Sequence, residues 1–418
     1  MIFQKIDTQY GLMRRDVEQV CADTLESRQL DNKRVLVVIP DHSRTAPIDM
    51  MFDVLYTLLA ERADTLDFLI ALGTHPPMSE SAIYQRVGIT AELHRNMYSK
   101  ARFFNHHWDD PEKLVKVGTI EADEIAAISG GLLQETVDVT INKMVFDYDV
   151  IMIVGPVFPH EVVGFSGGNK YLFPGIAGQD IIDLFHWLGA LITNQKIIGI
   201  QETPVRKVID MAASFLPIER MCFSLVVNKS RLDGIFISTP EESQSAAAAL
   251  SEQLHIVYKQ HAYNSVLSCA PVMYDDIWTA GKCMYKLEPV VAAGGELIIY
   301  APHIRQVSET HGRIIESIGY HVRDYFLKQM DRFAHVPGGV MAHSTHVRGI
   351  GTFEDGVERP RIQVTLATQI PENVCAKINL GYRDPETIVP SEWAGREDEG
   401  VLYVEKAGEI LYRLKESS

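Results

Sequence analysis

Basic runs, paired cysteines and long hydrophobic stretches are all missing from this sequence of 418 residues. Lys and Arg number 39 against 55 Asp and Glu, which gives a formal net charge of -16. Because such a chain repels phosphate backbones, we expect no nucleic-acid partner. The cysteines form no CxxC pair, which argues against a zinc ribbon and a disulfide framework. We expect buried, reduced thiols at Cys21, Cys222, Cys269, Cys283 and Cys375.

The longest apolar stretches are too short to cross a membrane. Val150–Val157 and Leu297–Ala301 fall far below the roughly 20 residues that a spanning helix needs. Residues 1–12 lack the apolar core of a signal peptide. The sequence also has no internal repeat and no low-complexity tract. These absences predict a soluble, cytoplasmic protein without a membrane partner.

Short β-branched runs alternate with helix-like segments, which favours an α/β fold. Arg34–Pro40 and Thr65–Leu72 are predicted strands, and the helix-like stretch Met50–Arg62 between them completes a βαβ unit. Further strands are predicted at Asp149–Pro156, Met221–Asn228 and Asp233–Ser238, followed by a helix at Pro240–Gln260. The first part of the chain is therefore predicted to form a mainly parallel sheet.

A second series of predicted strands indicates a second domain. These strands are Ser265–Met273, Glu296–Ala301 and Arg361–Ala367. We therefore predict two α/β domains with mainly parallel sheets, residues 1–260 and residues 261–397, with an active site in the cleft between them. Residues 398–418 resemble a hairpin, which we expect to return to the first domain. The sequence does not indicate the oligomeric state.

Two polar loops follow the first two predicted strands. They are DHSRTAP at 41–47 and GTHPP at 73–77. In open α/β sheets ligands bind at the carboxyl ends of the strands, so Asp41, Arg44 and His75 are candidate site residues. The alternative for each loop is structural, with Asp41 capping the following helix and pairing with Arg44, and with His75 in a turn.

The segment HEVVGFSGGNKYLFPGIAG at 160–178 carries the strongest signal. Ser166, Gly167 and Gly168 allow a tight loop whose N–H groups can hold an anion, and Lys170 adds a positive charge or an amine nucleophile. The loop is not a Walker loop, because GxxxxGK[ST] is absent. A purely structural loop with an exposed lysine is the alternative.

These motifs resemble those of the nickel-pincer lactate racemase family along nearly the whole chain. The resemblance is carried by the three motifs DHSRTAP, GTH and HEVVGFSGGNKYLFPGIAG, by His186 sixteen residues beyond Lys170, and by Lys282 twelve residues before the pair Gly294 and Gly295. It implies a nicotinic-acid-derived mononucleotide with two sulfur-bearing arms, attached through a thioamide to Lys170. His186 would be the protein ligand of nickel.

The resemblance also implies roles for the remaining residues of the site. His75 and His160 would be acid and base on opposite faces of the substrate, a 2-hydroxy acid. Asp41 and Arg44 match the pair in the family's first loop, and we assign Asp41 to cofactor binding and Arg44 to substrate binding. Lys282 matches a substrate-binding lysine. Cofactor synthesis would require separate maturation proteins as partners.

Residue chemistry agrees with this reaction. The C2 hydrogen beside a carboxylate is very weakly acidic, so moving it as hydride to an electrophilic pyridinium avoids a carbanion. Inversion then needs an imidazole on each face. Arg44 and Lys282 would hold the carboxylate and the polarised oxygen.

The sequence departs from the lactate enzyme's pattern near the substrate. Pro76 replaces the usual arginine, and Trp278 and Thr279 stand where a Tyr-Gln pair would precede the lysine; we assign both to substrate binding. A donor-rich segment at 337–349 contains His343, His346 and Arg348. If it lines the pocket, it favours a substrate that is more polar than lactate, such as a sugar acid. The alternative is a structural network, and the role of His343 stays open.

Other readings of the histidines remain. Adjacent His106 and His107 point to opposite faces of an extended segment, which favours a solvated loop or a supporting role over a shared metal ion. A zinc hydrolase could use His75, His160 and His186 as ligands, with Glu161 as general base. A non-catalytic nucleotide- or anion-binding protein could use the glycine loop alone.

Overall fold

The computed structural model describes residues 1–415, and the chain divides into two compact units. The first unit consists of Met1–Phe158, Phe165–Ile182 and Arg206–Leu254. The second consists of Pro159–Gly164, Asp183–Val205 and the chain from His255 onwards. Among residues 1–415 no helix combines the length and the apolar character needed to cross a membrane.

Twenty strands are present in the described chain. They are β1 (Phe3–Ile6), β2 (Arg34–Pro40), β3 (Thr65–Ala71), β4 (Ala101–Asn105), β5 (Leu114–Ile120), β6 (Val137–Asn142), β7 (Val150–Pro156), β8 (Pro159–His160), β9 (Gly164–Phe165), β10 (Glu219–Asn228), β11 (Arg231–Ser238), β12 (Ile256–Lys259), β13 (Tyr263–Cys269), β14 (Val291–Ala301), β15 (Gly351–Glu354), β16 (Val357–Pro360), β17 (Gln363–Thr368), β18 (Gly381–Tyr382), β19 (Val401–Val404) and β20 (Leu411–Leu414).

Sixteen α-helices connect or cover these strands within residues 1–415. They are α1 (Arg14–Glu26), α2 (Ile48–Leu59), α3 (Glu80–Arg86), α4 (Ala91–Asn96), α5 (Ala122–Ser129), α6 (Gln179–Ile192), α7 (Asn194–Ile197), α8 (Pro204–Ser214), α9 (Pro240–His255), α10 (Ile277–Ala280), α11 (Lys282–Tyr285), α12 (Gly312–Ile318), α13 (Arg323–Leu327), α14 (Met330–Phe333), α15 (Gly338–Arg348) and α16 (Glu372–Lys377).

The first unit is built on a seven-stranded sheet in the order β1-β11-β10-β7-β2-β3-β4. The neighbours from β10 to β4 are parallel, whereas β11 is antiparallel to both β10 and β1. Every residue of β7 is buried, as expected for a parallel strand that is covered on both faces. From β2 the chain adds β3 and β4 on one side of the sheet, and it then crosses over to add β7 on the other side of β2. The carboxyl ends of β2 and β7 thus flank the topological switch point, where ligands bind in open α/β sheets.

The second unit is built on a five-stranded sheet in the order β18-β17-β14-β13-β19, and all its neighbours are parallel. Leu267 of β13, Ile298 of β14 and Ala367 of β17 are fully buried in its core. The predicted α/β class with mainly parallel sheets is therefore confirmed.

The carboxyl-terminal segment differs from the predicted hairpin. β19 pairs in parallel with β13 and β20 pairs in parallel with β12, so both strands join the second unit. β19 occupies the edge of β13 that faces away from β14, and the apolar side chains of Leu402 and Val404 on β19 are buried there. This burial explains why the segment does not return to the first sheet.

The division between the units also differs from the predicted boundary at residue 260. The second unit begins near that point, at His255, but it also takes up residues 159–164 and 183–205. As a result, His160 and His186 belong to the second unit, whereas Lys170 belongs to the first.

Candidate active site

A buried carboxylate and an imidazole meet at the carboxyl ends of β2 and β3. Asp41 follows β2 and is 3% exposed. Its Oδ1 accepts hydrogen bonds from Ser43 N–H (3.0 Å) and from the Ser43 hydroxyl (2.6 Å). Its Oδ2 lies 2.5 Å from Nδ1 of His75, which follows β3. The two predicted loops are thus brought together as the strand order requires.

The surroundings of Asp41 keep its carboxyl group ionised. Burial by itself would raise the pKa of Asp41, but the interactions with His75, Arg44 and Ser43 outweigh it and hold the pKa well below its usual range. An ionised carboxylate only accepts hydrogen bonds, so His75 Nδ1 carries the proton between them. In neutral His75 the other nitrogen, Nε2, is then an acceptor that can take a proton from a ligand.

Arg86 holds the loop that carries Asp41 and Arg44. Its Nη2 donates to the carbonyl of Arg44 (2.9 Å), and its other nitrogens donate to the carbonyls of Pro40 (3.3 Å) and Ala46 (3.4 Å). The guanidinium carbon of Arg44 lies 5.9 Å from the centroid of the Phe158 ring. Nothing in the local sequence pattern around Arg86 indicated this long-range role.

The glycine loop is closely packed after β7. Gly167 and Gly168 have positive φ angles of 87° and 61°, and a Cβ at Gly168 would lie 2.9 Å from the carbonyl oxygen of Pro240. Arg206 donates to the carbonyls of Gly167 (3.2 Å) and Phe165, which turns these oxygens inward. Sequence reasoning also missed this arginine.

Ser166 has a different use from the one predicted. Its N–H donates to the carbonyl of Phe158 (2.9 Å) and its hydroxyl donates to the carbonyl of Pro156 (2.8 Å). Its Oγ also accepts from Phe158 N–H (3.0 Å). The backbone donor of Ser166 is therefore engaged in closing the loop and is not directed at an anion.

Lys170 stands out from this loop by its exposure. From Val162 to Pro174 every residue is buried except Lys170. Burial is the main cause that raises the pKa of the neighbouring Tyr171, and the charges of Arg44 and Asp41 also act on this pKa. The first unit thus gathers Asp41, Arg44 and His75 near the segment from which the Lys170 amine emerges.

His160 in the second unit is fixed through its Nδ1 atom. Nδ1 accepts a hydrogen bond from Val162 N–H (3.2 Å), and Glu161 Oε2 lies 3.4 Å from the same nitrogen. In the neutral form the proton of His160 is therefore on Nε2. His160 Nε2 is a donor, the opposite polarity to His75 Nε2.

Glu161 interacts electrostatically with several ionisable side chains of the second unit. Burial opposes ionisation of Glu161, but His160, a backbone hydrogen bond, His346 and Lys282 outweigh it and hold its pKa far below the usual range. The sequence suggested Glu161 only as the base of a zinc hydrolase. Its position directly after His160 was the available signal for a role beside that histidine.

His186 lies where α6 packs against α15. Asp183 Oδ1 accepts a hydrogen bond from Gly339 N–H (2.8 Å), and a Cβ at Gly338 would lie 2.8 Å from the carbonyl oxygen of Asp183. This close approach brings α15 beside His186. From Ile181 to Leu191 only Asp183 and His186 are not buried, so the imidazole of His186 remains accessible.

His346 on α15 is a buried neutral imidazole beside these groups. Burial lowers its pKa to about 4, with Glu161 acting against the shift and His186 adding to it. Its Nε2 has no hydrogen-bond partner within residues 1–415. The structure thus brings His160, Glu161, His186, Lys282 and His346 together in the second unit.

Three further side chains that were considered for substrate binding make contacts within the second unit. Trp278 contacts His343, and Thr279 contacts the residue that precedes its own helix. The Trp278 and His343 rings stack at 4.2 Å between centroids, and His343 Nε2 lies 3.1 Å from the carbonyl oxygen of Trp278. Thr279 N–H donates to Asp276 Oδ1 (3.0 Å) at the start of α10. These contacts favour the structural alternative for His343. On α11, Lys282 Nζ lies 4.8 Å from the centroid of the Tyr274 ring.

His106 has a structural role in the first unit. It is 1% exposed, and its Nε2 donates to the carbonyl of Ala177 (2.9 Å) while Asn142 Nδ2 donates to its Nδ1 (3.2 Å). His107 is half-buried and does not share these partners.

Across the described chain, no three His, Cys, Asp or Glu side chains are grouped so as to hold a metal ion.

Residues 13–199 match the family model described as the lactate racemase N-terminal domain. The chain is 26% identical to the lactate racemase of Lactiplantibacillus plantarum over 167 residues, which cover 40% of this chain and 35% of that protein. It is 22% identical to the lactate racemase of Thermoanaerobacterium thermosaccharolyticum over 284 residues, which cover 67% of this chain and 61% of that protein. The chain thus spans less than two thirds of the length of either relative.

Two solved structures share the fold over nearly the whole chain. A Thermotoga maritima protein superimposes with a TM-score of 0.89 at 33% identity, covering 97% of this chain and 99% of that one. The lactate racemase apoprotein from T. thermosaccharolyticum has a TM-score of 0.72 at 16% identity, with coverage of 97% and 94%, which shows a shared fold. Together with the family match and the two lactate racemases, these likenesses lead to one conclusion: the chain belongs to the lactate racemase-like family.

Proposed function

We propose that this protein is a racemase or epimerase that inverts C2 of a 2-hydroxy acid more polar than lactate, such as a sugar acid. The observation that carries the proposal is the 2.5 Å contact between His75 Nδ1 and Asp41 Oδ2. It leaves His75 Nε2 as a base, and a base is what removal of the substrate's hydroxyl proton requires.

The second imidazole has the complementary polarity. His160 Nε2 carries its proton in the neutral form, because Nδ1 accepts from Val162 N–H. In one direction His75 takes the hydroxyl proton of one enantiomer, and His160, protonated on both nitrogens beside the ionised Glu161 carboxylate, gives its Nε2 proton to the oxygen of the other. In the reverse direction the two histidines exchange these roles, as microscopic reversibility requires.

Arg44 and Lys282 supply the positive charge for an anionic substrate. Arg44 can bind a carboxylate with two parallel hydrogen bonds, whereas the ammonium of Lys282 is a point charge suited to a single developing oxyanion. Lys282 is 8% exposed, so the interaction would be little screened by water.

The residues that would hold a nickel-pincer nucleotide fit that group. Lys170 and His186 each emerge from a segment that is otherwise almost fully buried, one offering an amine and the other an imidazole nitrogen. We propose that Lys170 carries the nucleotide covalently and that His186 ligates nickel, an ion that accepts imidazole nitrogen. Such a cofactor supplies a reversible hydride acceptor.

The polarity of the second unit supports a polar substrate. His346 is 5% exposed and its Nε2 is unpaired within residues 1–415. A buried polar atom without a partner costs roughly 1 to 3 kcal/mol, which a methyl group cannot relieve. A substrate hydroxyl near His346 could supply the partner.

The test is inversion at C2 by protein produced together with the cofactor maturation enzymes, measured as formation of the opposite enantiomer or epimer. Lactate, malate, phenyllactate and aldonates form the substrate panel. We expect inversion to be fastest with an aldonate, and we expect the C2 hydrogen to be retained in D2O, because a hydride that returns to C2 does not exchange with solvent. Absence of inversion with every 2-hydroxy acid, in protein that carries both nickel and a covalent mass increment, would rule the proposal out.

A further inference from the structure

A cavity of about 280 Å³ lies in the second unit beside His346. Its walls come from the end of α6, from α7, from the last turn of α15 and from the 3₁₀ turn that precedes β14. The residues used below are Ala190, Asn194, Glu288, Thr345 and His346. Ala190 lies one helical turn beyond His186 on α6, so the cavity begins next to the proposed site.

Three buried polar atoms in these walls have no hydrogen-bond partner in the part of the chain that the structure describes. They are Asn194 Oδ1, Glu288 Oε2 and His346 Nε2. The three residues are 4%, 0% and 5% exposed, respectively. A fold normally pairs such atoms, because leaving each one unpaired costs roughly 1 to 3 kcal/mol.

The opposite ends of two of these side chains are anchored. Asn194 Nδ2 donates to the carbonyl of Tyr285 (2.9 Å), and Glu288 Oε1 accepts from Ile350 N–H (2.8 Å). The amides of Asn194 and Gln195 approach the Glu288 carboxyl without the geometry of a hydrogen bond to Oε2. The anchoring hydrogen bonds hold the side chains of Asn194 and Glu288 at the cavity wall.

The unpaired atoms define the chemistry of an occupant. Asn194 Oδ1 is an acceptor, and each of the other two atoms can accept or donate according to its protonation. Burial raises the pKa of Glu288, which weakens the preference for a cation. Hydroxyl groups both donate and accept, so a short chain of hydroxyl-bearing carbons matches all three atoms.

We infer that this cavity receives the hydroxyl-bearing end of the substrate, with Asn194, Glu288 and His346 as its specificity-determining residues. The inference rests on the proposed function. It extends that function by naming where the substrate chain beyond C2 is bound and which atoms distinguish an aldonate from lactate. Lactate ends in a methyl group and would leave the cavity unfilled.

Ordered water is the competing occupant. A cavity of this size can hold several water molecules, and each needs two to four polar partners. Substitutions in the cavity wall distinguish water from a polyol chain as the occupant. Filling the cavity with protein atoms affects only those substrates that must enter it.

The test uses cofactor-loaded protein and two variants, Ala190→Leu, which fills the cavity, and Asn194→Leu, which removes an unpaired acceptor and keeps a branched side chain of similar shape. The control is Thr345→Val, a change in the same cavity wall, because the Thr345 hydroxyl already donates to Ala342 O (2.9 Å) within α15. Thermal melting confirms that each variant folds. We expect kcat/KM for D-gluconate to fall about tenfold or more in both variants, equivalent to about 1.4 kcal/mol, and kcat/KM for lactate to stay within about twofold.

Binding without the cofactor gives an independent measurement. Calorimetric titration of D-gluconate into the cofactor-free protein is expected to show binding that Ala190→Leu weakens about tenfold and that Thr345→Val leaves unchanged. Equal losses for lactate and gluconate, or no loss for either, would mean that the cavity holds water only, and the inference would be overturned while the proposed function survived. If the loaded wild type inverted C2 of no 2-hydroxy acid, the proposed function itself would fail.

Discussion

His75 Nδ1 and Asp41 Oδ2 lie 2.5 Å apart, with the carboxylate 4% and the imidazole 26% exposed at their side chains. The pair joins the end of β2 to the end of β3. Because Asp41 is buried and ionised, it fixes the ring and the tautomer of His75 and leaves Nε2 as an acceptor. An orienting carboxylate beside a general base has this geometry, which supports the role that we propose for His75.

Asp41→Asn is expected to lower kcat for C2 inversion by about 10²-fold or more, since general bases contribute about 10²- to 10⁴-fold and the amide can present a donor to the wrong nitrogen. KM should change little, because Asp41 would not contact the substrate. A merely structural Asp41 would lower the melting temperature without a specific loss of kcat. Asp49→Asn, an exposed carboxylate on α2, is the matched control.

Lys170→Ala is expected to abolish the covalent mass increment seen by intact-mass spectrometry in protein made with the maturation enzymes. Lys170→Arg should do the same, since a guanidinium keeps the charge but does not form the thioamide. The exposed Lys207 lies on α8 of the same unit, and Lys207→Ala should retain the increment. Persistence of the adduct in either Lys170 variant would remove Lys170 from the cofactor assignment.

The location of the Asp41 and His75 loops could be predicted from local sequence patterns. The run Arg34–Pro40 forms β2 with the predicted bounds, and the polar loops after β2 and β3 meet because parallel strands end at one edge. The contributions of Arg86 and Arg206 do not follow, because each depends on a carbonyl that lies about 40 residues away in the chain. Local periodicity carries no information about such contacts.

The distribution of the histidines between the units could not be predicted either. Segments 159–164 and 183–205 lie between stretches of the first unit in the chain but pack into the second. A local pattern reports that His160 and His186 flank the glycine loop. It does not report that α6 packs against α15 through Asp183 and Gly339, since this contact joins residues far apart in the sequence.

Stability should fall as the pH is lowered from 7 to 5, partly because of His106. Burial lowers its pKa to about 4, whereas an unfolded histidine titrates near 6.5. Between these values the unfolded chain binds a proton that folded His106 does not, so the free energy of unfolding decreases with falling pH. The contribution at pH 5 relative to pH 7 is about 2 kcal/mol.

His106→Gln should reduce this pH dependence, measured from urea unfolding at the two pH values. Exposed His335 gives the control His335→Gln, which should leave the dependence unchanged. Equal pH dependence in wild type and His106→Gln would show that His106 protonates equally in both states.

Gly168→Ala should destabilise the first unit more than Gly130→Ala. Both glycines have positive φ angles, 61° and 65°, so alanine is strained at either position by about 1 kcal/mol. A Cβ at Gly130 meets no atom within 4 Å, whereas at Gly168 it would lie 2.9 Å from both Gln244 Cβ and the Pro240 carbonyl oxygen. The backbone oxygen cannot move aside without disturbing the start of α9. Crowding should therefore add roughly 1 to 3 kcal/mol at Gly168, visible as a lower urea midpoint for Gly168→Ala. If the two variants unfolded at the same urea concentration, the close packing of the glycine loop against α9 would have no energetic consequence.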